Sequence, residues 1–260
     1  MIEFEFVKPS TVADAVKALA ADGAQALSGG QTLTPTMKQR LATPSVLVSL
    51  NGIAEMKGVK IAGGVVTIGG ATTHATVAKE ASAYPALAKL AGGIGDPAVR
   101  NRGTIGGSIA NNDPAACYPA GALASGATIV TNKRSIKADD FFKGMFATAL
   151  AEGEIITSVA FPVPAKAAYV KFDQPASRFA LTGVFVAKFA DGVRVAVTGA
   201  SNNGVFRWKE AEAALSANFS AAAIAGLKVS SRDMISDLHG TADYRAHLVK
   251  VLTGRAVSVA

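Results

Sequence analysis

Ser28-Gly29-Gly30-Gln31-Thr32 and, far downstream, Arg102-Gly103-Thr104-Ile105-Gly106-Gly107-Ser108 are the stretches that decide the reading of this chain. Each is a double glycine flanked by hydroxyl residues, and each falls where a regular element gives way to a turn. Glycine permits positive φ and close backbone approach, so successive N–H groups can converge on one anion. Either loop alone reads as an ordinary tight turn. Two of them from distant sequence suggest a ligand with two adjacent phosphates, held from both sides. A flavin or nicotinamide dinucleotide carries such a pyrophosphate.

Outward from the first loop, residues 1–7 alternate, with Ile2, Phe4 and Phe6 on one face and Glu3 and Glu5 on the other. That is the pattern of a half-buried strand. Thr11 can cap a helix that carries Val12, Val16 and Leu19 on one face and ends at Gly23. Residues 24–27 are a short apolar run that delivers Gly29-Gly30, so the order is strand, helix, strand, glycine loop. Residues 34–41 read as one or two helical turns with Pro35 in the first. A strand with Val46, Val48 and Leu50 follows, then a hairpin over 60–68 around Gly63-Gly64.

Around the second loop, residues 72–79 and 84–90 read as helices. Residues 114–125 are helix-compatible apart from Pro119, and 128–130 and 155–161 read as strands. The run Phe161-Pro162-Val163-Pro164-Ala165-Lys166 is an extended connector and a domain boundary. Beyond it, strands at 169–172, 181–189 and 193–198 precede helices at 208–215 and 243–252. Strands followed by helices indicate an α+β second domain.

Composition narrows the function classes. Half of the 260 residues are hydrophobic (50%), ample for a buried core. The net charge of +7 comes from scattered basic residues without interleaved aromatics, so nucleic-acid binding is not expected. No uninterrupted apolar run reaches the length of a membrane span, and the Met1-Ile2-Glu3-Phe4 start lacks a basic n-region, which points to the cytoplasm. Cys117 is the only cysteine, which leaves no disulfide and no cysteine-ligated cluster within the chain, and His74, His239 and His247 have no metal-ligand spacing. If the protein handles electrons, it uses an organic cofactor and passes them to another chain.

Other motifs carry less. Gly93-Ile94-Gly95-Asp96-Pro97-Ala98 has a dinucleotide-fingerprint spacing but follows a helical stretch rather than a strand, so it is set aside. Cys117 reads as a small core thiol, His74 as a residue at a helix start, and Asp139-Asp140 as the cap of a short helix. The segment from Arg100 to Asp113 is denser in chemistry. Arg100-Asn101-Arg102 brings donors beside the phosphate-ready loop, and Asn111, Asn112 and Asp113 offer amides and a carboxylate suited to ribose hydroxyls or a purine edge. A solvated polar loop is the alternative.

Together, Ser28-Gly29-Gly30-Gln31-Thr32-Leu33-Thr34-Pro35 with Lys38, Arg40 and Leu41, the run from Arg100 to Ser108, Asp113-Pro114-Ala115-Ala116, and Gln174-Pro175-Ala176-Ser177-Arg178-Phe179-Ala180 resemble the FAD-binding medium subunit of the molybdenum hydroxylases, the xanthine dehydrogenase and carbon monoxide dehydrogenase family. The resemblance runs the whole chain. It implies an α+β fold: a two-lobed vanillyl-alcohol-oxidase-like FAD-binding domain over residues 1–165, with lobes of about 1–55 and 56–165, and a smaller α+β domain over 166–260. It implies FAD as this chain's cofactor, its pyrophosphate clasped by Ser28, Gly29, Gly30, Gln31, Thr32 and Leu33 and by Thr104, Ile105, Gly106, Gly107 and Ser108. Asn111 and Asp113 would lie toward the ribose and adenine, and Tyr169 and Lys171 toward the flavin ring. Many relatives carry aspartate where this chain has Cys117.

The resemblance further implies two partners. One is a large subunit with molybdopterin; the other is a small iron–sulfur subunit with two two-iron–two-sulfur clusters, in a dimer of heterotrimers. This chain would pass electrons from the small subunit to an external acceptor. A self-contained flavin oxidase of the same superfold, acting directly on a small alcohol, is the competing reading, and a module that has lost its flavin is a third.

Overall fold

A computed structural model describes all 260 residues. The N-terminal unit is a three-stranded parallel sheet of β1 (Glu5–Val7), β2 (Ala24–Leu27) and β3 (Val46–Ser49) in the order β1-β3-β2, with α1 (Val12–Leu19) between the first two strands and α2 (Leu33–Lys38) between the last two. Thr11 caps α1 by accepting the Asp14 N–H at 3.1 Å, and Gly23 turns the chain into β2 at φ +68°. The first strand is shorter than its alternation predicts. Pairing begins only at Glu5, and Ile2 and Phe6 are each 55% exposed.

The second unit is a five-stranded antiparallel sheet of β4 (Val59–Ala62), β5 (Val65–Gly69), β6 (Thr128–Thr131), β7 (Ser135–Lys137) and, after a short hairpin of β8 (Phe142–Gly144) and β9 (Ala147–Thr148), β10 (Ile156–Pro162), in the order β4-β5-β10-β6-β7. Between β5 and β6 run α3 (His74–Glu80), α4 (Pro85–Gly92), α5 (Pro97–Arg100), α6 (Ile105–Asn111) and α7 (Cys117–Ser125). Pro119 is tolerated because it stands in the first turn of α7, where its missing N–H has no helical partner to lose. The short α8 (Ala138–Phe141) begins beside Asp139, but that carboxylate is not a cap. It pairs instead with Arg194 at 2.6 Å and Arg207 at 3.1 Å, from far along the chain.

The third unit is an antiparallel sheet in the order β11 (Lys166–Asp173), β12 (Ala180–Phe189), β13 (Gly192–Thr198), β14 (Phe206–Arg207), packed by α9 (Lys209–Ala217) and the long α10 (Ala242–Val259). The Pro162–Pro164 connector separates the sheets but not the cores. Tyr169, Phe185, Ala187 and Ala196 join the hydrophobic cluster of the second unit, and every residue of α7 is buried between α4 and the face of β12 and β13. Fully buried side chains such as Phe141, Phe161 and Phe185 each contribute about 2–3 kcal/mol of apolar transfer. No helix is long and apolar enough to cross a membrane.

Candidate functional site

The two glycine loops meet. Ser28 Oγ and Thr104 Oγ1 are hydrogen-bonded at 2.8 Å, and Asn51 Nδ2 fixes the first loop by donating to the Ser28 carbonyl at 2.9 Å. Gly29 lies so close to the second loop that a Cβ there would stand 2.6 Å from Gly103 Cα and closer still to the Arg102 carbonyl. Gly30 makes the turn into α2 at φ +69°. Thr104 caps α6, its Oγ1 accepting the Gly107 N–H at 3.3 Å.

The loops are not equivalent as donors. None of the backbone N–H groups of residues 29–33 has an acceptor within the protein, so the first loop presents a run of free donors on the cleft. In the second loop the Ile105 N–H donates to the Thr72 carbonyl at 3.1 Å and the Gly106 N–H to the Gly70 carbonyl at 2.9 Å. The expectation of two matching N–H cradles is corrected: the second loop offers the Thr104 and Ser108 hydroxyls and the open face of Gly107, while its Ile105 and Gly106 N–H groups seat α6 on the end of β5.

Around these loops lies a cleft of about 820 Å³. Ser28, Gly29, Gly30, Gln31, Thr32, Leu33, Thr104, Gly106, Gly107, Ser108, Asn111 and Asp113 line it. Ile105, Tyr169 and Lys171 do not. The Ile105 side chain is fully buried in the core. The Tyr169 ring stacks at 6.0 Å on Phe185, its hydroxyl buried without a hydrogen-bond partner. The Lys171 ammonium donates to the Gly93 carbonyl at 2.8 Å and the Arg178 carbonyl at 2.6 Å. Asn112 also departs from expectation: its Nδ2 holds the β8–β9 hairpin through the Gly144 and Ala147 carbonyls, at 2.7 and 2.9 Å. Asp113 stays at the cleft, with one carboxylate oxygen accepting the Ala115 N–H at 2.8 Å.

Sequence reasoning passed over several walls of the cleft. His74 is one, 4% exposed, with Nδ1 lacking any partner. Burial and, secondarily, nearby Arg100 lower its pKa to about 4, so at neutral pH it is an uncharged hydrogen-bonding group. Cys117 also lines the cleft, and burial pushes its thiol pKa up, away from a nucleophilic thiolate. The Ile94–Gly95 turn, residues 154–156 and Ser177, Arg178 and Phe179 complete the walls. The run over 93–98 is set aside in sequence and the run over 174–180 carries only the resemblance, while residues 154–156 have no motif of their own.

Glu154 is the acidic member of that set, with a fully buried side chain. It accepts from Arg134 at 3.0 Å, Thr131 at 2.6 Å and the Ala151 N–H at 2.8 Å. These bonds, Arg134 first, lower its pKa from 4.5 to about 2. The folded value is below the unfolded one, so the stabilisation is complete above pH 4.5 and drains away as pH falls toward 2. Glu154→Gln is therefore expected to lower stability at pH 6 and to flatten the acid limb between pH 5 and 3. Urea melts of both proteins across that range check it; parallel acid limbs would refute the assignment.

Residues 2–164, more than half of the chain, match the family described as FAD binding domain in molybdopterin dehydrogenase. The chain belongs to this family. It is 35% identical to the nicotine 6-hydroxylase medium subunit of Paenarthrobacter nicotinovorans, covering 97% of this chain and 95% of that one. It is 32% identical to the carbon monoxide dehydrogenase medium chain of Hydrogenophaga pseudoflava, covering 99% and 96%. The fold superposes on a chain of the solved structure of carbon monoxide dehydrogenase from that organism with a TM-score of 0.88 at 34% identity, covering all of this chain (100%) and 98% of that one. These near full-length relatives are medium subunits of molybdenum-containing dehydrogenases, and they support that reading over a self-contained oxidase.

Proposed function

We propose that this chain binds FAD in the cleft between its two glycine loops and carries electrons as the medium subunit of a molybdopterin-dependent hydroxylase. The observation that carries the proposal is the run of unpartnered N–H groups at residues 29–33, placed against the Thr104 and Ser108 hydroxyls. Successive N–H groups with no acceptor in the protein are open to an anion that can accept from several of them at once. A pyrophosphate does so, with Gly107 leaving room beside it. Asn111 and Asp113 stand where they can receive ribose or purine hydrogen bonds. Bound there, FAD supplies two-electron and one-electron exchange, and the protein supplies binding, orientation and electrostatics.

The partners in this reading are an iron–sulfur small subunit and a molybdopterin large subunit in a dimer of heterotrimers in the cytoplasm. The FAD-binding part is a two-lobed vanillyl-alcohol-oxidase-like domain over residues 1–165, and 166–260 is the second domain. Since this chain has one cysteine, the clusters belong to the partner.

The full chain, purified and titrated with FAD, is expected to turn yellow at one flavin per chain. Acid should release all of that flavin, because binding is noncovalent. A chain that stays colourless at saturating FAD would overturn the proposal, and acid-resistant flavin would overturn its noncovalent part.

A further inference from the structure

Lys171 is an internal lysine with its side chain 9% exposed. An ammonium has three N–H donors. Here all three have partners: the Gly93 carbonyl at 2.8 Å, the Arg178 carbonyl at 2.6 Å and Asp173 Oδ1 at 2.8 Å. Lys171 therefore has no donor left for a ligand. Its two carbonyl partners sit in different units of the fold. Gly93 follows α4 and leads into the Ile94–Gly95 turn, while Arg178 belongs to the loop joining β11 to β12. Both segments line the cleft, the first through Ile94 and Gly95 and the second through Ser177, Arg178 and Phe179.

Each segment is shaped by bonds of its own, and Lys171 is the contact that joins them. Arg100 Nη1 donates to the Ile94 carbonyl at 3.0 Å and the Gly95 carbonyl at 2.7 Å, so three successive carbonyls of the turn are gathered by two cations. Beside that turn, the 174–179 loop closes on itself through the Gln174 N–H to the Phe179 carbonyl at 2.8 Å and the Arg178 N–H to the Gln174 carbonyl at 2.7 Å. Arg178 sits at φ +59°, a left-handed conformation that a non-glycine residue holds only when its surroundings impose it. The bond from Lys171 to its carbonyl is such a constraint.

We propose that Lys171 is a positioning residue, a clamp that draws the 174–179 loop of the third unit onto the Gly93–Gly95 turn and so sets the cleft wall against which the flavin cofactor rests. The proposal rests on the FAD reading above. It replaces the expectation that this lysine reaches the ligand itself.

The test compares Lys171→Met, which keeps the stem but removes the donors, with Lys171→Arg, which keeps charge and donors. Amide hydrogen exchange on the cofactor-free chain is read at residues 93–99 and 174–179. FAD affinity and the fluorescence of bound flavin are read on the loaded chain. For Lys171→Met, exchange is expected to rise in both segments together, and FAD affinity to fall about tenfold or more, the scale of lost charged hydrogen bonds. Bound flavin should also become more fluorescent, and Lys171→Arg should recover most of each effect.

Unchanged exchange in either segment would overturn the clamp. Raised exchange with unchanged affinity and fluorescence would overturn the positioning role. If the Met variant does not fold, Asp173→Asn keeps the test. Its exposed carboxylate holds the third donor, and a smaller change of the same sign in all three readouts is required. A wild-type chain that bound no FAD would bring down the functional reading, and exchange alone would then decide the clamp.

Discussion

Gly29→Val is expected to yield a protein that purifies without flavin and binds added FAD at least about 100-fold more weakly than the parent. The new Cβ meets the Arg102 carbonyl and Gly103 Cα, at 2.6 Å from the latter, and both are backbone atoms that cannot swing aside. The only relief is separation of the loops. That costs about 1–3 kcal/mol as overpacking does elsewhere, and it moves the free donors of residues 29–33 away from Thr104 and Ser108. Gly226→Ala is the control, because no atom lies within 4 Å of its Cβ position. It should leave affinity and melting temperature unchanged. Fluorescence titration and thermal melts read both, and tight flavin retention by Gly29→Val would sink the two-loop site.

The neighbouring glycines divide the effect. A Cβ on Gly106 meets the Gly70 carbonyl at 2.6 Å, the same group that accepts the Gly106 N–H, so substitution there attacks the seating of α6 and registers mainly as lost stability. A Cβ on Gly107 comes to 3.0 Å from the Thr104 hydroxyl and otherwise occupies cleft space, which makes Gly107 the cleaner probe of the ligand face. Glycine pairs look alike in sequence. What each one touches depends on which strand end the helix is docked against.

That contrast marks what could be read from the chain. The turn at Gly29 and Gly30 was legible because loop geometry is decided within a few residues, whereas the cap that Thr104 places on α6 was not read. The helices at α3 and α4 and the hairpin of β4 and β5 followed from periodicity and the Gly63-Gly64 turn for the same reason. The use of the Ile105 and Gly106 N–H groups was not legible, since their acceptors, Thr72 and Gly70, are set by where β5 ends. Asp139 looked like a cap because caps are local, but its true partners, Arg194 and Arg207, lie on strands of another unit. Tyr169 and Lys171 were assigned to the ligand by pattern alone. Strand alternation does not tell which face of β11 meets α4 and which residues stand behind the cleft.

Arg245→Leu is expected to produce the largest stability loss of a single change outside the cleft. The guanidinium is 4% exposed and donates to the Leu181 carbonyl at 2.6 Å, the Gly199 carbonyl at 2.7 Å and both oxygens of Asp237, at 2.9 and 2.8 Å. Leucine fills part of the volume but leaves two buried carbonyls and a carboxylate without their partner. That should cost about 3 kcal/mol, or about 6–12 °C in melting temperature at this chain length. Asp237→Asn, at an exposed carboxylate, should cost only about 1 kcal/mol. The effect also reaches the cleft. The Gly199 N–H donates to the Pro114 carbonyl at 2.7 Å, and Thr198 Oγ1 to the Pro114 and Ala116 carbonyls at 2.9 and 2.7 Å. Those residues belong to the wall that carries Asp113 and Cys117. Loosening Gly199 from α10 therefore frees that wall, and FAD affinity should fall together with the melting temperature. Thermal melts run with and without saturating FAD check both parts. Equal melting temperatures for the parent and Arg245→Leu would contradict the buried-partner argument, and an unaltered FAD affinity in the destabilised variant would contradict the link from α10 to the cleft.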